Sequence, residues 1–432
     1  MKKLLPRVED LYAFRFGSMW TYFKAQHFSF WMICAYLFLE FVRPQALIPA
    51  LDILPYAQIS LLGAMVGAVM DPTVKWVSSI ANKLIILFFI CILISIWFAE
   101  YPDVSKKHFM DFFGWFVIYF LIINIVNTKE RFYIFLIIYL IAAGKIAFGT
   151  SKSWVFRGFS FTSWGLMGPK GYFQNSGELA ILMLMLFPLA FYLYVALKNK
   201  AKTWEKFLLT IFWICPILTI LGASSRGAQI ALVCQLLLMF RRSLLRPKAL
   251  IGVLILCTAI FYLLPQEQKD RFSSTGDDKT SQQRILYWQH GWEMMKRYPY
   301  AGVGFFNFSP YYESHFSADM LYPFAELPHN IFVQVGTDAG FFAVFAFAGL
   351  ILYAIFASYS LTRFCIKHAE PPWSSFIAGL GVGVLGFFIA GEFVTVTYYP
   401  FLWIHLAFIV SFNNVIARKT NGPAVEKNRD YE

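Results

Sequence analysis

The chain has 432 residues, of which 58% are hydrophobic, 19% aromatic and only 14% charged. A soluble globular domain carries about 25% charge, so this composition excludes one and points to a protein made largely of membrane-spanning helices. The formal net charge of +12 sits on tails and turns and forms no basic helix or aromatic-basic motif, which excludes a nucleic-acid module and fits anchoring to anionic lipid headgroups.

Crossing about 30 Å of hydrocarbon takes about 20 apolar residues. Such runs centre on 29–48, 52–70, 81–98, 110–126, 131–149, 177–197, 207–222, 226–240, 248–264, 330–357, 374–391 and 398–416. They predict an all-α polytopic membrane protein of about 12 transmembrane helices. No soluble linker divides the chain, so residues 1–432 read as a single transmembrane helical domain. The first 27 residues hold bases but no apolar run ending in a small-residue cleavage site, so the first span is expected to direct insertion itself. With both termini cytoplasmic, most of the 37 Lys and Arg fall on cytoplasmic tails and short loops, as the positive-inside rule requires. The sizeable segment 265–327, between the ninth and tenth spans, then faces the opposite side.

In chain order, residues 1–27 mix bases with Leu, Phe, Trp and Tyr, as an amphipathic helix on the inner leaflet would. Glu40 and Arg43 stand three apart at the end of the first span. They read as a mutually satisfied pair, with Arg43 kept as a candidate because charge in hydrocarbon is costly. The outer segment after the fifth span carries Lys152, Arg157 and Lys170 among glycines and aromatics, followed by Gln174, Asn175 and Glu178. Two readings stand: an anion site near the outer leaflet, or an interfacial loop whose bases meet lipid phosphate. The charge runs 198–206 and 241–248 are cytoplasmic turns. The six cysteines, Cys34, Cys91, Cys215, Cys234, Cys257 and Cys365, are scattered and read as small core hydrophobes.

Three stretches carry chemistry. Ser224-Ser225-Arg226-Gly227 opens an apolar helix, where backbone N–H groups, hydroxyls and a bidentate guanidinium together suit a phosphate. Residues 281–299 read as an amphipathic helix capped by Ser281 and stopped by Pro299, with Ile285, Trp288, Trp292 and Met295 on one stripe and Arg284 available to lipid-linked phosphate. The glycine-punctuated turn 301–308 follows. Asp277 and Asp278 are adjacent acids and lack the spaced carboxylates of a divalent-metal site, so no metal is expected. His329, after Pro328, begins the next helix, where the helix end and a nearby arginine both disfavour imidazolium and keep a neutral base at pH 7.

These stretches together resemble the O-antigen ligase and polymerase superfamily of bacterial membrane glycosyltransferases. The likeness rests on Ser225-Arg226-Gly227, on Arg284 with Trp288 and the Gly302-Val303-Gly304 turn, and on His329-Asn330 followed by Asp338-Ala339-Gly340. It is carried by motif over about residues 170–350 and by topology over the rest. The resemblance implies the ligase branch, located in the bacterial inner membrane with its site facing the periplasm. Such an enzyme moves a completed glycan from undecaprenyl pyrophosphate to the lipid A core oligosaccharide, by inverting transfer that needs neither metal nor cofactor. In that reading Arg226 and Arg284 hold the pyrophosphate and His329 takes the acceptor proton. An acidic residue that is usually Glu in the family is Asp338 here, and no role is carried over to it. A glycan polymerase or a protein O-oligosaccharyltransferase would use the same donor site. A transporter of lipid-linked sugars would use the arginines for binding alone, but its binding residues are expected near the bilayer midplane, between related halves.

Overall fold

The computed structural model describes residues 5–420, apart from 49, 51–52, 163–164, 170–172, 174, 245, 247–261, 263–268, 270–275 and 277. The ninth expected span, all but Tyr262, lies outside the described residues, as do Cys257, Lys170, Gln174 and Asp277. The described helices of eight residues or more are α1 Phe16–Lys24, α2 Phe28–Val42, α3 Tyr56–Met70, α4 Ile80–Trp97, α5 Pro102–Ile125, α6 Lys129–Phe156, α7 Ser176–Leu197, α8 Thr203–Gly222, α9 Arg226–Leu244, α10 Lys279–Arg297, α11 Phe308–His315, α12 Ile331–Lys367, α13 Pro371–Gly391 and α14 Pro400–Thr420.

Helices coincide with every expected span that the described residues cover, and there is no strand among the described residues. The chain is an all-helical polytopic membrane protein. Among the described residues, seven helices, α4 to α8, α12 and α13, are long and apolar enough to cross a membrane, and α2, α3 and residues Pro400–Ile416 are shorter apolar helices. The described cysteines are all free, and all but Cys234 are buried.

Polar groups inside the bundle are matched to backbone that the sequence leaves open. Pro188 lies within α7 and has no N–H for the Leu184 carbonyl. Gln235 of α9 fills that position, its Nε2 donating to Leu184 O and to Val382 O of α13, both at 2.9 Å. In hydrocarbon every such carbonyl needs a partner, so one glutamine fixes three helices. Glycines let α13 close on α7: a Cβ on Gly383 would lie 2.9 Å from Met185 O, and one on Gly379 2.8 Å from Leu189 Cα.

At the start of α6, Arg131 and Asp71 form a buried ion pair at 3.5 Å. Ser29 and Thr73 donate to the carboxylate, while Gln26 and the Ile125 carbonyl accept from the guanidinium, as a buried pair requires. In the N-terminal segment, α1 leaves Phe16 and Trp20 exposed, while the stretch before it packs inward. Val8, Leu11, Tyr12 and Phe14 are buried, and Tyr133 OH of α6 donates to Ala13 O at 3.0 Å. Its aromatics pack on protein because Tyr133 and Phe212 present rings to Tyr12 and Phe14.

Candidate functional site

α10 forms one wall. Its cap is Asp278 and not the expected Ser281: the carboxylate accepts from Ser281 N at 3.0 Å and from the Ser281 hydroxyl at 2.7 Å. A carboxylate takes both donors at a helix start, where N–H groups lack intrahelical partners. The buried stripe also differs from the expected one. It runs through Gln283, Tyr287, Gly291, Met294 and Met295, while Ile285 and Trp292 are exposed. The reason is the approach of α12, whose Val333 Cγ1 would stand 2.5 Å from a Cβ on Gly291.

The two arginines meet at the start of α10. Arg226 opens α9, and its Nη2 donates to Asp278 Oδ2 at 3.1 Å and to Ser281 Oγ at 3.3 Å. Burial would raise the Asp278 carboxyl, but hydrogen bonds from Ser281 and Arg226 hold it below the usual carboxylate range. Arg284 lies three residues beyond Ser281 on the same helix. Its Nε is buried with no hydrogen-bond partner among the described residues. Burial, followed by the Arg226 charge, pulls this guanidinium below its ordinary value, against the fields of Glu326 and Asp278. A buried donor without an acceptor beside a second cation is unfavourable as it stands. An anion placed there would relieve both terms.

The opposite wall is the segment entering α12. Tyr287 OH accepts from Glu326 N at 2.9 Å, and Trp288 Nε1 donates to Pro328 O at 2.9 Å, so α10 holds this segment at two points. Asn330 is the N-cap of α12, its side chain accepting from Phe332 N and Val333 N at 2.9 and 3.0 Å. His329 therefore precedes the helix instead of beginning it. Its φ of +53 is left-handed, a conformation a non-glycine residue keeps only when its surroundings impose it. Here Thr395 Oγ1 accepts from His329 N at 2.8 Å. The imidazole Nε2 stands 2.7 Å from Glu326 Oε2. Its pKa is lowered, first by burial and also by Arg284, against the Glu326 hydrogen bond. The neutral base was expected from the helix end and an arginine; burial is the larger cause.

Asp338 is fully buried and serves as a structural tie. Its Oδ1 accepts from Phe306 N at 3.1 Å, and its carbonyl accepts from Ser95 Oγ. Beside it, Val303 N donates to Thr337 O at 2.7 Å. Gly302 has φ +66, and a Cβ there would stand 2.3 Å from Thr337 O, so the turn lies directly on the backbone of α12. Gly340 interrupts that helix with φ 78 and ψ −177.

The segment 392–399, between α13 and α14, was not singled out in the sequence. Besides Thr395, it supplies Glu392, whose Oε2 accepts from Asn330 Nδ2 at 2.8 Å, and Phe393, which packs on Gly227 and faces Trp288. A glutamate directly after an apolar span, followed by two threonines, was the available signal. Burial raises the Glu392 carboxyl, opposed by the Asn330 hydrogen bond.

The remaining candidates stand elsewhere. Arg43 bonds Glu40 Oε1 at 3.0 Å. Arg157 is exposed at the end of α6, and Lys152 lies over the Phe156 ring. Asn175 caps α7 through Gly177 N at 2.8 Å, in a capping box with Glu178. Tyr399 OH donates to Glu178 Oε1 at 2.6 Å, which joins the start of α7 to the 392–399 segment.

Residues 210–348 match the family model described as O-Antigen ligase. The matched region contains Arg226, Arg284 and His329 and runs from α8 into α12. It supports the O-antigen ligase superfamily, with ligase- or polymerase-type glycosyl transfer and lipid-linked glycan substrates in general. No curated protein matches the chain.

Proposed function

We propose that the protein is an O-antigen ligase, transferring glycan from undecaprenyl pyrophosphate to the lipid A core oligosaccharide at the periplasmic face of a bacterial inner membrane. The observation that carries this reading is the Arg284 guanidinium, partly buried with an Nε that has no partner among the described residues, beside Arg226 and within the field that acts on a neutral histidine. A leaving pyrophosphate needs such positive charge, and an attacking sugar hydroxyl needs such a base.

In this reading Arg226 and Arg284 bind the pyrophosphate and stabilise the charge that develops on it. Exchange of Asp278 for phosphate at Arg226 accompanies donor binding. His329 accepts the acceptor proton, a contribution of about 10² to 10⁴-fold. The acceptor oxygen bonds to the anomeric carbon from the face opposite the leaving group, which inverts the configuration. No step of this reaction calls on a metal.

The test is transfer by purified full-length protein in detergent with EDTA, from extracted lipid-linked glycan to core-only lipopolysaccharide. Arg226→Ala, Arg284→Ala and His329→Ala are each expected to abolish transfer while the proteins stay folded. Normal transfer by His329→Ala would sink the proposal. Donor turnover without modification of the lipid A core would move the acceptor to a growing glycan or a protein hydroxyl.

A further inference from the structure

We infer that Glu326 is the positioning residue for His329, fixing the imidazole as the tautomer with its proton on Nε2 and its lone pair on Nδ1. The inference rests on the catalytic reading of His329 given above. Three observations carry it. Glu326 Oε2 lies 2.7 Å from His329 Nε2, and an ionised carboxylate can only accept, so Nε2 must donate. The imidazole is mostly buried, its side chain 15% exposed, while Nδ1 makes no hydrogen bond among the described residues. The backbone that carries Glu326 is itself held, because Glu326 N donates to Tyr287 OH of α10 at 2.9 Å.

The charges around the ring decide the balance. Arg284 faces it from α10, with Arg226 and Asp278 behind. Glu392 approaches from the end of α13 and is engaged by Asn330. Burial and Arg284 both weaken the base, and Glu326 alone among these groups restores it by direct contact. The His329 hydrogen bond in turn holds the Glu326 carboxyl below its usual range, so it is ionised at neutral pH. During transfer the acceptor oxygen bonds to the anomeric carbon. The bond from that carbon to the pyrophosphate oxygen breaks, and its electron pair leaves with the pyrophosphate. The hydroxyl proton goes to Nδ1, and the resulting imidazolium keeps its Nε2 proton on Glu326.

The experiment uses full-length protein in nanodiscs, labelled with ¹⁵N-histidine, with the His329 signals assigned by their loss in His329→Ala. Wild type is expected to show a protonated Nε2 and a bare Nδ1 without any substrate. Glu326→Gln keeps an acceptor but removes the charge, so the His329 titration should move to lower pH by about one unit. Glu326→Ala should scramble the tautomers. The acid limb of the transfer profile should move with the titration, and Glu326→Asp should restore part of the rate. An unmoved titration in Glu326→Gln together with an unchanged tautomer in Glu326→Ala would overturn the assignment. Wild-type transfer by His329→Ala would instead overturn the catalytic reading, a result independent of the tautomer.

Discussion

Arg226 and Asp278 are joined at 3.1 Å across the gap between α9 and α10, so the arginine proposed to hold the donor is already engaged by a carboxylate. Donor phosphate has to compete with that carboxylate. Asp278→Asn keeps a good helix cap, since Asn and Asp cap about equally well, and removes the competing charge. Donor binding is expected to tighten about 2- to 5-fold, the range of a partly exposed ion pair, as read by titration with lipid-linked glycan. Weaker binding would show that Asp278 supports the site.

Arg284→Lys is expected to fail almost as badly as Arg284→Ala. A lysine keeps the charge but offers no planar fork and is more strongly hydrated, so it cannot reproduce the buried Nε donor. The loss in turnover should be about 10²- to 10³-fold, measured at saturating donor. Full activity in the lysine variant would reduce the role of Arg284 to that of a point charge.

The pH dependence follows from His329, whose pKa lies below the ordinary 6.5. At pH 7 the base is neutral in the folded protein, and activity should fall only as pH drops through the lowered value. Stability has the same sign. A depressed folded pKa means that the unfolded chain binds the proton more readily, so stability present above 6.5 is lost as pH falls through the folded value. A transfer profile with its acid limb at or above 6.5 would contradict this ordering.

Gly302→Ala should be the most disruptive small substitution in the site. The residue is left-handed, which costs an alanine about 1 to 2 kcal/mol, and the new methyl would press on the Thr337 carbonyl 2.3 Å away. A drop in thermal stability, followed by size-exclusion fluorescence, is the expected result. Gly276→Ala, where no described residue lies within 4 Å of a Cβ, gives the control for a positive φ without that backbone contact.

The spans were legible because hydrocarbon imposes length and apolarity on each of them separately. Arg226, Arg284 and His329 were legible as types at helix ends. Less legible was everything set by tertiary contact. The burial of Tyr12 and Phe14 depends on rings from α6 and α8. The inward stripe of α10 is chosen by where α12 can approach Gly291, not by hydropathy along α10. Glu326 and Glu392 look like ordinary surface acids in sequence. Only the left-handed turn at His329 and the cap at Asn330 bring them beside the histidine and its neighbour.

One helix also sets a length. α10 carries Arg284 directly and, through Tyr287 and Trp288, grips the segment that ends in His329. The anion-binding end and the proton-accepting end are thus mounted on a single rigid ruler. In the proposed reaction that ruler spans only the first sugar of the donor, from the departing phosphate to the incoming hydroxyl. Everything beyond the first sugar lies off the scale, so chains of very different length should be handed over at the same joint.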